Sequence, residues 1–92
     1  MKKAKRLYIS GSLQTFVFKR FVKDHADKKE VKGFIRTLPD SKTEVFLEGE
    51  SENVDALIAI CKRGWSRNSA IKSIEERDER LQDFKEFKVL NI

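Results

Sequence analysis

The chain is poor in the residues that staple or punctuate a fold. Its 92 residues include one cysteine, one proline, one histidine, one methionine and one tryptophan. A lone Cys61 excludes an internal disulfide and any zinc site built on cysteines. That usage fits a reducing compartment, so a cytoplasmic location is expected. No stretch approaches the roughly 18 consecutive apolar residues of a membrane span, and no membrane partner is expected. The start, Met1-Lys-Lys-Ala-Lys-Arg6, is basic, but no apolar segment follows it, so it does not read as a secretory signal. Repeats, low-complexity tracts and linkers are absent. No metal or cofactor motif is found, and neither is expected.

Charge is what the chain has in quantity. Twenty Lys and Arg against fifteen Asp and Glu give a net charge of +5. That balance favours anionic partners such as phosphates, nucleic acid or acidic surfaces. Acidic and basic residues are interspersed, so much of the charge reads as an ordinary solvated surface. The hydrophobic fraction is 39%, with seven Phe, enough for a packed core. This length supports one domain, residues 1–92, and a monomer is expected.

Periodicity sets out the elements. Arg6 to Leu13 alternates, with Leu7, Ile9, Gly11 and Leu13 on one face, and reads as a half-buried strand. Phe18, Phe21, Val22, His25 and Ala26 recur at helical spacing and predict a helix from about Phe18 to Lys29. Val31–Leu38 and Thr43–Gly49 read as strands joined by the turn Pro39-Asp-Ser-Lys42. Ser51 is placed as the N-cap of a second helix, with Val54, Leu57, Ile58 and Cys61 on its buried face and Gly64 as its C′ residue. Trp65–Ser69 reads as a loop. Trp65 serves there either as a lid over the core or as an exposed anchor for a partner.

Ala70–Glu75 is a short strand in which Ile71 and Ile74 fail to alternate, which suggests a bulge. Glu76–Asp83 reads as a charged, mobile connection and Phe84–Ile92 as a final strand. The order is that of a ferredoxin-like βαββαβ sandwich, class α+β. The expected sheet is antiparallel, of four to five strands, with two helices on one face.

The segment from Gly11 to Phe21 carries the chemistry. A strand ending in Gly, then a loop, then a basic helix bring loop N–H groups and a helix N-terminus to one spot, the layout of an anion site. Gly11-Ser-Leu-Gln14, Phe18, Phe21-Val-Lys-Asp24, Val31-Lys-Gly-Phe-Ile-Arg36, Leu38-Pro-Asp40, Glu44-Val45, Glu48-Gly-Glu50 and Phe87 together resemble the acylphosphatase family in a single register. The resemblance implies metal-free hydrolysis of carboxyl–phosphate anhydrides. It implies that residues Gly11, Ser12, Leu13, Gln14, Thr15, Phe16 and Val17 form the phosphate-binding loop. It also implies an Arg clamping the phosphate and an Asn orienting the attacking water.

Position by position, the clamp falls on Lys19 and the water-orienting place on Thr37. Lys keeps the charge but lacks the planar fork that grips two oxygens. Thr37 keeps a hydroxyl but has no amide. The loop glycine of the family is Thr15, where a positive φ would be strained, and the small aliphatic after it is Phe16. The turn glycine is Ser41. The expectation is a domain with little or no acyl-phosphate hydrolysis that keeps an oxyanion site for inorganic phosphate or an acyl phosphate. One alternative is an active enzyme working through Lys19 and Thr37.

Other residues read as structural. Arg20, one residue after the clamp, is about 100° further round the helix and should point elsewhere. His25 reads as a packed imidazole and Cys61 as core sulfur. Lys32-Gly33-Phe34-Ile35 faintly resembles the aromatic signature of the RRM, which shares this topology. With the basic surface, it keeps a nucleic-acid or protein binding module as a further alternative.

Overall fold

The computed structural model describes residues 1–11, 15–66 and 71–90, leaving aside the side chains of 15 and 64–66. The elements are β1 (Lys2–Gly11), α1 (Thr15–Lys28), β2 (Lys32–Thr37), β3 (Thr43–Glu50), α2 (Ser51–Ser66), β4 (Ile71–Glu79) and β5 (Phe87–Val89). The strands form one sheet in the order β4-β1-β3-β2-β5. Both helices pack on one face, which is the ferredoxin-like α+β arrangement. None of the described helices is long and apolar enough to cross a membrane.

The sheet is mixed rather than wholly antiparallel. β1 pairs antiparallel with β3 and β4, and β2 antiparallel with β3, but β5 lies parallel to β2. The path of the chain dictates this. β4 runs opposite to β1 at one edge and ends at the far end of the sheet from Gly11. Residues 80–86 then cross to the opposite edge, so β5 starts at that same far end and must run alongside β2. β5 is also shorter than the expected Phe84–Ile92, because Phe84 serves the crossing. Its ring lies 5.8 Å from Phe34 and 5.4 Å from Phe46 on the face away from the helices.

The core lies between sheet and helices. Leu7, Ile9, Ile35, Val45 and Leu47 meet Phe18, Val22 and Ala26 of α1 and Val54, Leu57 and Cys61 of α2, all with no exposed surface. The spacing in each helix is the i, i+3, i+4 pattern that puts one stripe against the sheet. His25 packs half-buried against Phe21, ring centroids 4.6 Å apart.

Four further boundaries differ from the sequence reading by more than one residue. β1 begins at Lys2, because Lys2–Lys5 pair with Leu47–Glu50 of β3. The lysines that hide this alternation are neutralised sideways, Lys3 by Asp55 and Lys5 by Asp78. α1 begins at Thr15 rather than Phe18, since Phe16 and Val17 are helical yet face solvent and add nothing to an apolar stripe. α2 continues through Gly64 to Ser66 instead of ending there, which moves Trp65 from loop to helix; Arg67–Ser69, with Ala70, lie outside the described residues. β4 runs on to Glu79, through residues read as connection, because each pairs with a β1 residue, as in Glu79↔Ala4 and Asp78↔Lys5. The suspected bulge is present: Ser10 pairs with Ser73 but Gly11 with Ile71, a slip of one residue.

Two turns show how the ends are set. α1 closes with Glu30 at φ 56°, the Val31 N–H donating to the Ala26 carbonyl (2.9 Å) and the Glu30 N–H to the Asp27 carbonyl (3.2 Å). This is a Schellman closure without its usual glycine. The β2–β3 hairpin turns through Ser41 at φ 72°, with the Leu38 N–H on the Lys42 carbonyl at 2.7 Å.

Candidate active site

The site is assembled at one end of the sheet by chain direction alone. β1 ends there at Gly11, α1 starts there at Thr15, β2 ends at Thr37 and β3 starts at Thr43. Because β5 is parallel to β2, its outgoing end arrives there too. Of the implied loop, Gly11 closes β1 at φ 144°, an angle suited to glycine. Ser12, Leu13 and Gln14 lie outside the described residues. Thr15, Phe16 and Val17 form the first turn of α1 rather than a loop. The helix N-terminus therefore begins at Thr15, four positions beyond Gly11, and the N–H groups of a helix's first turn carry a partial positive charge that favours an anion.

Lys19 sits just over one turn into α1, half-buried, and its Nζ donates to the backbone carbonyl of Leu90 at 3.4 Å. Its ammonium is thus tethered to the end of the chain that follows β5. Arg20 points away: its side chain is 72% exposed and its Nε stands 3.8 Å from Asp24 Oδ1. It does not replace the clamp in this arrangement.

Thr37 is the last residue of β2, half-buried, and pairs with Thr43 of β3. By strand alternation it shares the helix-facing side with Ile35. Thr43 is 1% exposed, and its Oγ1 has no hydrogen-bond partner among the described residues. Two neighbouring hydroxyl side chains thus floor this end of the sheet. Thr43 was not singled out from sequence. Its signal there is slight, a polar residue opening a strand that is otherwise apolar on that face.

Two other candidates fall outside the site. Cys61 is buried on the core face of α2, and burial pushes its thiol up to about 12, so it is protonated at neutral pH. The Phe34 of the RRM-like segment stacks on Phe46 with Phe84 against both, so that aromatic face is already packed. Among the described residues no group of three or more His, Cys, Asp or Glu could hold a metal ion.

A strand exit, a helix N-terminus and two hydroxyl-bearing strand ends converging on one edge define a ferredoxin-like sandwich of the acylphosphatase type. The family model for Acylphosphatase matches residues 5–89, and the chain belongs to that family. It is 30% identical over 91 residues to an acylphosphatase of Syntrophus aciditrophicus, covering 98% of this chain and 94% of the relative. The crystal structure of acylphosphatase from Bacillus subtilis shares the fold with a TM-score of 0.82 at 21% identity, over 99% of this chain and all (100%) of that one. Full-length HypF, in its phosphate- and nucleotide-bound form, is similar at 26% identity and TM-score 0.82. There the match covers 99% of this chain, which spans only 12% of HypF.

Proposed function

We propose that this chain is an acylphosphatase-family domain with little or no hydrolytic activity that still binds an oxyanion at the β1–α1 junction. The observation that carries this reading is the pair of residues at the family's two working positions, Lys19 and Thr37. Phosphoryl transfer needs donors fixed where charge develops on the phosphoryl oxygens. A lysine is a point charge on a flexible stem, and Lys19 spends one donor on the Leu90 carbonyl. Thr37 offers a water one short hydroxyl in place of an amide. Losing one such donor typically costs about 10²–10³ in rate. The domain acts as a cytoplasmic monomer, and its ligand is inorganic phosphate or an acyl phosphate.

The test is hydrolysis of benzoyl phosphate by the natural protein and by the Lys19→Arg, Thr37→Asn double variant. The natural protein should run at the rate of a heat-denatured control, and the variant should turn over well above it. Clear turnover by the natural protein overturns the reading. Phosphate titration followed by NMR checks the anion site separately. Gly11 and Phe16–Lys19 amides that stay unshifted at high phosphate would show the site to be lost.

A second reading is an active enzyme working through Lys19 and Thr37. Thr37 itself supports it, since at the half-buried end of β2 it keeps a hydroxyl that can both donate and accept a hydrogen bond to a water. The same assay decides between them.

A further inference from the structure

We propose, resting on the reading of the β1–α1 junction as an anion site, that the groove between α1 and β5 holds the acyl part of the ligand. That part is a short apolar chain ending in a carboxylate. The ligand class is then the monophosphorylated form of a dicarboxylic acid. Lys19 joins the two places, since it stands at the family's phosphate-clamping position and also lines the groove.

The groove has a volume of about 480 Å³, within the range of small-molecule sites. Phe16, Lys19, Arg20 and Lys23 line it from α1. Their spacing is i, i+3, i+4, i+7, so one stripe of the helix faces the groove, beside the stripe that faces the core. Among the described lining residues, the helix contributes three cations and no carboxylate. On the strand side Phe87 and Val89 face the core. The side chains of Glu86 and Lys88 therefore alternate to the opposite face of the sheet. The one acidic residue that lines the groove thus does not neutralise the three cations.

The two ends of the stripe differ in chemistry. Phe16, at the end nearer the anion site, is 78% exposed, and half-buried Val89 adds apolar surface from the strand. These suit a hydrocarbon chain. Further along, Arg20 and Lys23 hold Asp24 and Asp27 at 3.8 and 3.0 Å. Both are partly exposed i,i+4 pairs that a ligand carboxylate can exchange. The backbone adds a donor. The Gly33 N–H donates to the Glu86 carbonyl (3.1 Å) and the Leu90 N–H to the Ile35 carbonyl (2.9 Å). Residues 86, 88 and 90 thus turn their main chain to β2, and Val89 turns its N–H outward beside the groove. Phe16 and Lys23 stand about 10 Å apart along the helix axis, at about 1.5 Å per residue, a span that a chain of about six carbons bridges between two charged groups.

The probes are inorganic phosphate, hexylphosphonate and 6-phosphonohexanoate, titrated into the full chain at low salt and followed by NMR. All three should shift the Gly11 and Phe16–Lys19 amides. Only 6-phosphonohexanoate should also shift Lys23 and Val89. It should bind about fivefold more tightly than hexylphosphonate, the gain from one exposed charge pair at the upper end of its usual worth. Raising salt should erase that gain. Arg20→Gln with Lys23→Gln should lower its affinity to that of hexylphosphonate, while the shifts caused by inorganic phosphate stay in place. 6-Aminohexylphosphonate, which carries the opposite charge at its far end, should bind more weakly than hexylphosphonate.

Three outcomes overturn the proposal. Equal affinity of 6-phosphonohexanoate and hexylphosphonate, with both shifting Gly11 and Phe16–Lys19, removes the carboxylate subsite and leaves the anion site standing. A carboxylate gain that survives in the double variant places the second group elsewhere. Unshifted Gly11 and Phe16–Lys19 amides with every probe remove the anion site, and this inference with it.

Discussion

At the scale of single residues, the most demanding position is Glu44. It is 3% exposed on the sheet face away from the helices, ion-paired to Arg6 and, at 2.5 Å, to Arg36. Arg6 also reaches Glu79 and lies over the Phe46 ring, 5.1 Å from its centroid. The carboxylate is what allows two guanidinium groups to lie on an aromatic floor. Removing its charge leaves Arg36 without the carboxylate it pairs with and Arg6 with Glu79 alone. A fully buried pair broken this way loses about 3–5 kcal/mol, and the partial exposure of both arginines brings the expected cost for Glu44→Gln nearer about 2 kcal/mol. Urea unfolding measures it; a loss under about 0.5 kcal/mol would class the network with ordinary surface pairs.

None of this network was legible beforehand. Arg6, Arg36 and Glu44 are scattered charges until β1, β2 and β3 are laid side by side. Lys19 and Thr37, by contrast, were readable as site positions because each belongs to a contiguous motif. What could not be read was the partner Lys19 finds, since the Leu90 carbonyl lies 71 residues further along the chain.

At the scale of elements, the β2–β3 pair holds two opposite lessons about glycine. Gly33 lies at φ 140°, and a Cβ there would stand 1.8 Å from the Phe46 carbonyl oxygen on the adjacent strand. No side chain fits without parting β2 from β3. Gly33→Ala should therefore cost more than about 3 kcal/mol or prevent folding. Circular dichroism and thermal unfolding check it, and a variant with native stability would show that the strands can separate cheaply.

Ser41 is the converse, a non-glycine residue at φ 72° in the hairpin turn. Ser41→Gly should stabilise by about 0.5–1 kcal/mol, the relief of a left-handed residue less the added freedom of the unfolded chain. A lower urea midpoint would contradict this. The hairpin itself was legible from Pro39-Asp-Ser-Lys42, because turn chemistry is local. The direction of β5 was not, because it depends on residues 80–86 crossing the sheet. The pins of that crossing are the Gln82 and Phe84 N–H groups on the buried Glu48 carboxylate, at 2.7 and 2.6 Å.

At the scale of the whole molecule, stability should fall in alkali for a reason that sits in the core. The Cys61 thiol moves from an ordinary value of 9.0 to about 12 through burial. In the unfolded chain it ionises near pH 9; in the native state it stays protonated. The unfolded state then binds fewer protons, so the contribution to stability is intact below pH 9 and lost between about pH 9 and 12, at up to about 1.4 kcal/mol per pH unit. Cys61→Ala should be less stable at pH 7 but show a shallower decline from pH 8.5 to 10.5. Equal slopes would mean that the thiol reaches solvent without unfolding. Alkylation gives a second reading, with no reaction of native protein at pH 8 and rapid reaction in denaturant.

The sheet order also fixes when the molecule can exist at all during synthesis. β1 is made first and lies between β3 and β4, with Lys2 paired to Glu50 and Ala4 to Glu79. Until about half the chain has emerged, β1 has neither neighbour, and Leu7 and Ile9 face water from a strand with two open edges. Its second neighbour follows only after α2. The core is then sealed by Phe87 of β5, the last of the five strands in chain order. The domain therefore cannot close one half at a time on the ribosome. It must fold nearly all at once, after its final strand is free.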